Sequence, residues 1–549
     1  MTVKPAPIPP IPEQTKTVAE AAFPMGNVYM QMRDEIGSIY EDELFVELYS
    51  EEGQPGWSPW RLALVTIMQF AENLSDRQTA EAVRARLDWK YALSLELTDP
   101  GFHYSILSEF RARLVDSQQS QKLLDRILMI FKEKGWLKAH GQQRTDSTHV
   151  LATVRELNQV EIVGESFRYT LNVLATVVPD WLGKRLKAEW EERYGERMDE
   201  YRLPKEKGER EALVNLIGQD GQYLLACIDQ ETEQAWIREI PAVLILKKVW
   251  EQQYKLENGQ IQHRGIKEMP PVREWIRSPF DPEARYGKKR SRYWVGYKVH
   301  LTETCDEDQP HLITQVETRP AIEQDNQATS DIQNQLVKSE LCPQQHLVDA
   351  GYVSAKLILE SQEKHGIDLM GPVHVDPSWQ AHTPDAFDAA QFQVDWETQT
   401  AICPKGQHSI GWYSQKDSQQ EPVVRIVFDP HICLSCSVRS QCSKAKKTGR
   451  TLVLRAEGRH QALQTARERQ LTDEFKQIYR KRSGIEGTLS QTIRGSGLRH
   501  SRYIGMSKTH FQNIAIAVAT NIKRMIDWIN EVPLAQTRYS RFTLLFAEA

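Results

Sequence analysis

Gln143-Arg-Thr-Asp-Ser-Thr-His-Val-Leu-Ala-Thr-Val154 interrupts a long run of helical pattern. Its β-branched residues predict a strand. An aspartate inside such a strand is unusual, because Asp has poor strand propensity. The same texture returns at Tyr293–Thr302 and His311–Thr318. It returns again in His346-Leu-Val-Asp-Ala-Gly-Tyr352, where an apolar run ends in Asp349 and a glycine turn. Ala355–His365 reads as the following helix and Ile367–Val373 as another short strand. Strands followed by helices, with long intervening segments, predict an α/β core assembled from distant parts of the chain. Asp349 lies 203 positions after Asp146, which leaves room for a large insertion between core elements.

Outward from these strands the chain divides. A length of 549 residues implies several structural units. Residues 1–26, with five prolines between positions 4 and 14, read as a flexible tail. Residues 27–140 read as an all-helical DNA-binding or assembly domain, for which a plain helical scaffold is the alternative. In that region Pro59 sits where the helix Trp60–Phe70 can start, and Ser75 and Gln78 are spaced as a capping box. Helices are also expected over Tyr104–Leu114 and Gln121–Lys134. Residues 141–179 and 285–375 form the two parts of the core. Between them lies a mostly helical insertion, 180–284, through which Trp181, Trp190, Trp236, Trp250 and Trp275 are scattered. A Cys-rich insertion, 376–457, precedes C-terminal helices over 458–549, expected at about 458–492 and 509–530.

Hydrophobic residues make up 40% of the chain and charged residues 26%, as in globular proteins. No apolar run approaches the ~18 residues a membrane span needs, and no secretory signal pattern is present. Seven cysteines, an odd number, argue against a disulfide framework and for a reducing cytoplasm. The net charge of −5 is unfavourable for binding nucleic acid, but local distribution matters more. From Lys476 to Lys508 the cations Lys476, Arg480, Lys481, Arg482, Arg494, Arg499, Arg502 and Lys508 surround a single acid, Glu486. A second cluster holds Arg285, Lys288, Lys289, Arg290, Arg292 and Lys298, interleaved with Tyr286, Tyr293, Trp294 and Tyr297. Charge runs are commonly solvated faces; a lone glutamate inside a strongly basic one calls for another reason.

Two-metal phosphoryl chemistry needs several carboxylates converging on one point. Asp146 and Asp349 sit at strand positions suited to carrying such ligands, although an isolated Asp after a strand more often makes a turn or cap. In Tyr479-Arg-Lys-Arg-Ser-Gly-Ile-Glu-Gly-Thr-Leu-Ser490, Arg482 and Glu486 are spaced to share one helix face. Gly484 and Gly487 flank the acid; glycine is costly inside a helix and permits close approach of another backbone or of DNA. Among competing acids, Glu323 and Asp331 lie near the second motif, and Asp325 either supports the site from beside it or caps the helix that follows, the cap being the favoured reading. His149 reads as structural.

Arg-Thr-Asp146-Ser-Thr, Val-Asp349-Ala-Gly-Tyr and Tyr479-x2-Arg482-x3-Glu486, with Gly497-Leu-Arg-His-Ser-Arg-Tyr-Ile-Gly505 downstream, closely resemble the motifs of DDE-type transposases of bacterial insertion sequences. The resemblance covers most of the chain from about 57 to 528. It implies a ribonuclease H-like catalytic core split by insertions. It implies two Mg²⁺ or Mn²⁺ ions held by Asp146, Asp349 and Glu486. It implies hydrolysis at terminal inverted repeats of double-stranded DNA, and attack of 3′-hydroxyl ends on target DNA by a homodimer or larger assembly. Tyr479, Arg482, Arg494, Arg499, Arg502, Lys508, Lys288, Lys289 and Arg290 are then the expected DNA contacts. One departure stands out. The related Tyr-Arg-Glu-Lys signature has a lysine seven residues after the glutamate; here that position is Ile493, with Arg494 beside it. A catalytically silent DNA-binding derivative and a nuclease without joining activity are the rival readings, and the intact triad argues against the first.

Cys403, Cys433, Cys436 and Cys442 fall within 40 residues and include a Cys-x2-Cys pair. This suits tetrahedral Zn²⁺ bound by thiolates, and a small insertion poor in large apolar residues would gain folding energy from such a metal. His408 or His431 are alternative ligands, and four reduced thiols without metal are the plain alternative. Cys227, Cys305 and Cys342 are isolated and read as core residues.

Overall fold

The computed structural model describes residues 2–199, 203–257, 259–289, 291–418 and 420–533. Its centre is a six-stranded mixed sheet. Strand β1 (Gln142–Leu151) lies in the middle. On one side it pairs antiparallel with β3 (Arg292–Thr304), placing Asp146 opposite Leu301 and Arg144 opposite Glu303. Strand β2 (Arg285–Lys289) and strand β4 (Ile313–Pro320) both pair antiparallel with β3. On the other side of β1, β5 (Gln345–Leu347) and then β6 (Asp368–Met370) add in parallel. This mixed sheet with helical flanks is consistent with the ribonuclease H-like core. The expected strands are all present, displaced by a few residues at their ends.

Helices cover the sheet. Helix α1 (Pro59–Ala71) begins with proline at its first position, and Ser75 and Gln78 form the expected capping box on the next helix. Helix α2 (Asp325–Lys338) links β4 to β5. Helix α3 (Ile485–Ser496) carries Glu486, and α4 (Met506–Ile529) is the long C-terminal helix. On α4, Asn521 exchanges two hydrogen bonds with the backbone of Ile313 at the start of β4 (2.7 and 2.8 Å). Phe511 of α4 meets Phe70 of α1 edge-on, at 6.3 Å between ring centres. One continuous hydrophobic core therefore runs from the N-terminal helices through the sheet to α4. The residues expected to form a separate N-terminal domain share their core with the sheet.

Three expectations change. The proline-rich start is not a free tail, because Glu13–Ala22 is a helix whose Ala19 is fully buried near Met30 and Tyr91. The helical insertion starts earlier than residue 180. The helix Gln159–Val177 packs with Trp181, Trp190 and Trp250 in a core of its own, leaving only 141 to about 156 with the first part of the sheet. The helix expected over 458–492 is broken into Glu457–Arg469, Asp473–Tyr479, a 3-10 turn Arg480–Gly484, and α3. The Cys-rich insertion has a small core around the antiparallel strands β7 (Ser409–Lys416), β8 (Pro422–Phe428) and β9 (Thr451–Arg455). No described helix is long and apolar enough to cross a membrane.

Two histidines, His300 and His346, are buried in this core, and His510 is half-buried beside Thr318. Burial pushes His300 on β3 down to about 3, and His346 on β5 and His510 on α4 down to about 4. Unfolded histidine titrates near about 6.5, so the unfolded chain takes up these protons first. Their contribution to stability is complete above about pH 6.5 and is lost as the pH falls toward the folded values. Urea midpoints should hold steady down to about pH 6.5, then fall before the carboxylates titrate below about pH 5. His346→Gln should flatten that slope, and an unchanged slope would contradict the assignment.

Candidate active site

Asp146 projects from the middle of β1, where only 8% of the residue is exposed, and its Oδ1 accepts the N–H of Ser147 (2.7 Å). Asp349 follows β5 and caps a short turn, with its Oδ1 accepting the N–H of Gly351 (2.8 Å). Glu486 lies in the first turn of α3, where the helix dipole favours an acid. The Arg482 guanidinium joins them. Its Nη2 is 2.6 Å from Asp146 Oδ2 and 3.9 Å from Asp349 Oδ2, and its Nη1 is 3.7 Å from Glu486 Oε1. Three carboxylates far apart in sequence thus face one cation. Burial raises the Asp146 carboxyl above its ordinary range; Arg482, the Ser147 N–H and Lys289 pull the other way without cancelling it. Among the described residues no three His, Cys, Asp or Glu side chains already stand at metal-holding positions. At the triad the guanidinium lies between the acids. The donor set, carboxylate oxygens only, has the hard chemistry that suits Mg²⁺ or Mn²⁺.

The segment after α3 closes one edge of the site. Leu151 at the end of β1 donates its N–H to Arg499 O (2.8 Å), and Ser501 donates to Leu151 O (2.9 Å). Arg499 Nε then donates to Thr148 Oγ1 (2.9 Å), two residues beyond Asp146. His149 is depressed to about 4 by burial, with Arg499, Arg292 and Lys289 adding to the effect, so these cations gather at one end of β1. Tyr479 stacks on Phe475 (5.4 Å between ring centres), and its hydroxyl is raised by burial. Lys288 lies over the Tyr293 ring (5.1 Å). Arg494 and Lys508 are exposed. Ile493, at the position of the missing lysine, is partly buried against the main core. Arg290 lies outside the described residues.

Arg502 is not placed as a DNA contact. Its guanidinium lies over Phe70 and donates to Leu74 O (2.7 Å) and Asn73 Oδ1, tying the loop after α1 to the C-terminal segment. Asp325 is not the helix cap, which is Gln324. Asp325 pairs with Lys298 (3.0 Å) and accepts from Ser147 Oγ (3.3 Å), supporting the β1 loop from beside the triad. Glu323 and Asp331 both pair with Arg319.

Sequence reasoning missed Glu303. This carboxylate is fully buried on β3. Burial alone would raise it, and Arg524 and Arg144 more than offset this, holding it below the usual range. The signal was present in Arg144, two residues before Asp146 and so on the same face of β1. A charged residue that deep in a strand requires a buried partner. Gly484 also gains a reason. A Cβ there would lie 2.2 Å from Arg144 Nη1, whereas Gly487 faces open space.

In the Cys-rich insertion, Cys403, Cys433, Cys436 and Cys442 line one cavity together with Arg439 and Arg450. The N–H of Gln407 donates to Cys403 Sγ (3.4 Å) and that of Arg450 to Cys433 Sγ (3.5 Å). Burial raises the Cys442 thiol; Arg450 opposes this, and the other three cysteines add to it.

Residues 402–526 match a family model described as a transposase DDE domain. Over that stretch the chain is similar to DDE transposase domains. Residues 18–113 match a second model, described as a transposase domain (DUF772). The two together tie the protein to DNA transposition in general terms, and so to DNA binding. DDE domains generally use divalent metal ions. The DDE match takes in Cys403, Cys433, Cys436, Cys442, Arg482 and Glu486, while Asp146 and Asp349 lie before it. No curated protein matches the chain.

The two glycines give a direct test. Gly484→Ala must displace the Arg144 guanidinium and should destabilise by about 1–3 kcal/mol, as overpacking does. Gly487→Ala, helical and unobstructed, should stabilise by about 0.5–1 kcal/mol. Denaturant midpoints of the two variants should move in opposite directions.

Proposed function

We propose that the chain is a DDE transposase that cleaves DNA at the terminal inverted repeats of its element and joins the freed 3′-hydroxyl ends to target DNA. The observation that carries this reading is the convergence of Asp146, Asp349 and Glu486 on Arg482. Two divalent ions held by the three carboxylates would supply activation of the attacking oxygen and stabilisation of the leaving one. In this reading Arg482 gives up its hold on the acids and turns to the phosphate, for which a planar guanidinium is well suited. Lys289, Arg292 and Arg499, gathered near one end of β1, engage the DNA backbone. Lys288, Arg494 and Lys508 extend that basic surface, and Tyr479 packs beside the reacting strand. DNA ends must be brought together for joining, so the working form is a dimer or larger assembly.

Asp146→Asn, Asp349→Asn and Glu486→Gln should each abolish Mg²⁺- or Mn²⁺-dependent cleavage of a plasmid carrying the gene with its flanking DNA, while binding to that DNA persists. Full cleavage by any one of them would remove that residue from the site. Strand transfer from pre-cleaved ends separates a transposase from a nuclease, because a nuclease gives no joined product.

We further propose that Cys403, Cys433, Cys436 and Cys442 bind one structural Zn²⁺. Support comes from their shared cavity, from the two backbone N–H groups directed at sulfur, and from Arg439 and Arg450 alongside, which would offset the charge of four thiolates. Protein from zinc-replete medium should contain close to one zinc per chain, and Cys433→Ser with Cys436→Ser should lose it and expose the insertion to protease. Absence of zinc from the unmodified protein would end this proposal.

A further inference from the structure

We infer that Glu303 is a positioning residue for the acidic site, setting the strand of Asp146 against the helix of Glu486; the inference rests on the metal-binding reading above. Glu303 lies on β3 directly opposite Arg144 of β1. Its Oε1 accepts from Arg144 Nε (2.7 Å) and Nη2 (2.6 Å). Its Oε2 accepts from Arg524 Nη1 of α4 (2.7 Å) and from Thr488 Oγ1 of α3 (2.5 Å). One fully buried carboxylate is therefore shared among four elements. Two of its partners sit two residues from the acids of the triad: Arg144 before Asp146, and Thr488 after Glu486.

The linkage extends to the cation between the acids. Arg144 Nη1 donates to Lys481 O (2.5 Å), fixing the turn that holds Arg482. Arg524 donates both to Thr488 Oγ1 (2.6 Å) and to Gln491 Oε1 (2.9 Å), gripping the inner face of α3. Thr488 is buried while the Glu486 side chain is 70% exposed, so α3 is held by its inner face and presents its acid on the outer one. Near Glu303 the pairing of β3 with β4 is irregular, shifting between Thr302 and Glu303. Such irregularities re-aim side chains. An exposed glutamate on a freely placed helix would meet a metal only in some of its positions; the buried hub removes that freedom.

The decisive variant is Thr488→Val, which removes one hydroxyl and leaves both arginines on Glu303. It should keep a melting temperature within about 2–3 °C of the parent, as loss of a single hydrogen bond does in a chain this long. Its Mn²⁺ affinity, measured by titration of the full chain with paramagnetic resonance of free Mn²⁺, should weaken at least threefold. The Mg²⁺ concentration for half-maximal plasmid cleavage should rise in step, with DNA binding unchanged. Thr488→Ser, which restores the hydroxyl, should recover the parent values. A folded Thr488→Val with parental Mn²⁺ affinity would overturn the inference, as would a weakened affinity that Thr488→Ser does not recover. Failure of the underlying reading looks different: a parent that binds Mn²⁺ but never cleaves or joins DNA loses the transposase assignment and keeps the positioning role. A parent that binds no Mn²⁺ loses both.

Discussion

A carboxylate sealed from water cannot stay ionised unless cations replace the water it has lost, and Glu303 takes those cations from opposite ends of the chain. Arg144 comes from the central strand and Arg524 from the last long helix. Neither arginine is tolerable in the interior without the acid, and the acid is not tolerable without them. Arg144 and Glu303 are therefore buried together, and Arg524 closes over them from a partly exposed position. Docking of α4 onto the sheet and the final placement of α3 become parts of one event. The placement of the three acids depends on that event, because β1 and α3 both run from the buried hub to Asp146 and Glu486.

The site itself carries the opposite problem. Three acids brought together repel one another, and only Asp146 is deeply buried. The side chains grade outward, with exposures of 11% for Asp146, 33% for Asp349 and 70% for Glu486. Burial raises the Asp146 carboxyl, so the innermost acid depends most on nearby positive charge. Arg482 supplies it by direct contact and Lys289 from further away. A net charge of −5 thus conceals a local excess of cations. Lys289, Arg292 and Arg499 lie together where β1 and the segment after α3 meet.

Much of this was legible in the sequence because it is local. The β-branched texture around Asp146, the proline at position 59, the Ser75–Gln78 box and the helix Ala355–His365 are set by residues close to one another in the chain, and they fold as read. The three acids stand out in the sequence because their motifs occur in order. What could not be read depends on partners hundreds of residues away. Gly484 looked like a place for DNA to approach and instead makes room for the Arg144 side chain. Arg502 looked like one more cation in a basic run and instead packs on Phe70. Glu303 gives no sign in its own strand that it meets two arginines; the hint lies in Arg144, 159 positions earlier. A run of charges records how many cations there are, and not which of them have been used to hold the fold together.

The insertions show why so large a chain can keep one undisturbed sheet. An inserted unit leaves its host intact when its ends emerge side by side and it buries its own apolar surface. The helical insertion meets both conditions: Leu157 donates its N–H to Arg277 O (3.4 Å) where the chain enters and leaves, and its core is separate from that of the sheet. The Cys-rich insertion is held similarly, with Arg467 donating to His374 O (3.2 Å) across its base. Its own core is far smaller, built mainly on Phe392, Phe428 and a few aliphatic side chains. A core of that size offsets little of the entropy lost on folding. The four cysteines therefore lie in an insertion where hydrophobic burial alone offsets little, and a cross-linking cation there would have a large effect on its folding.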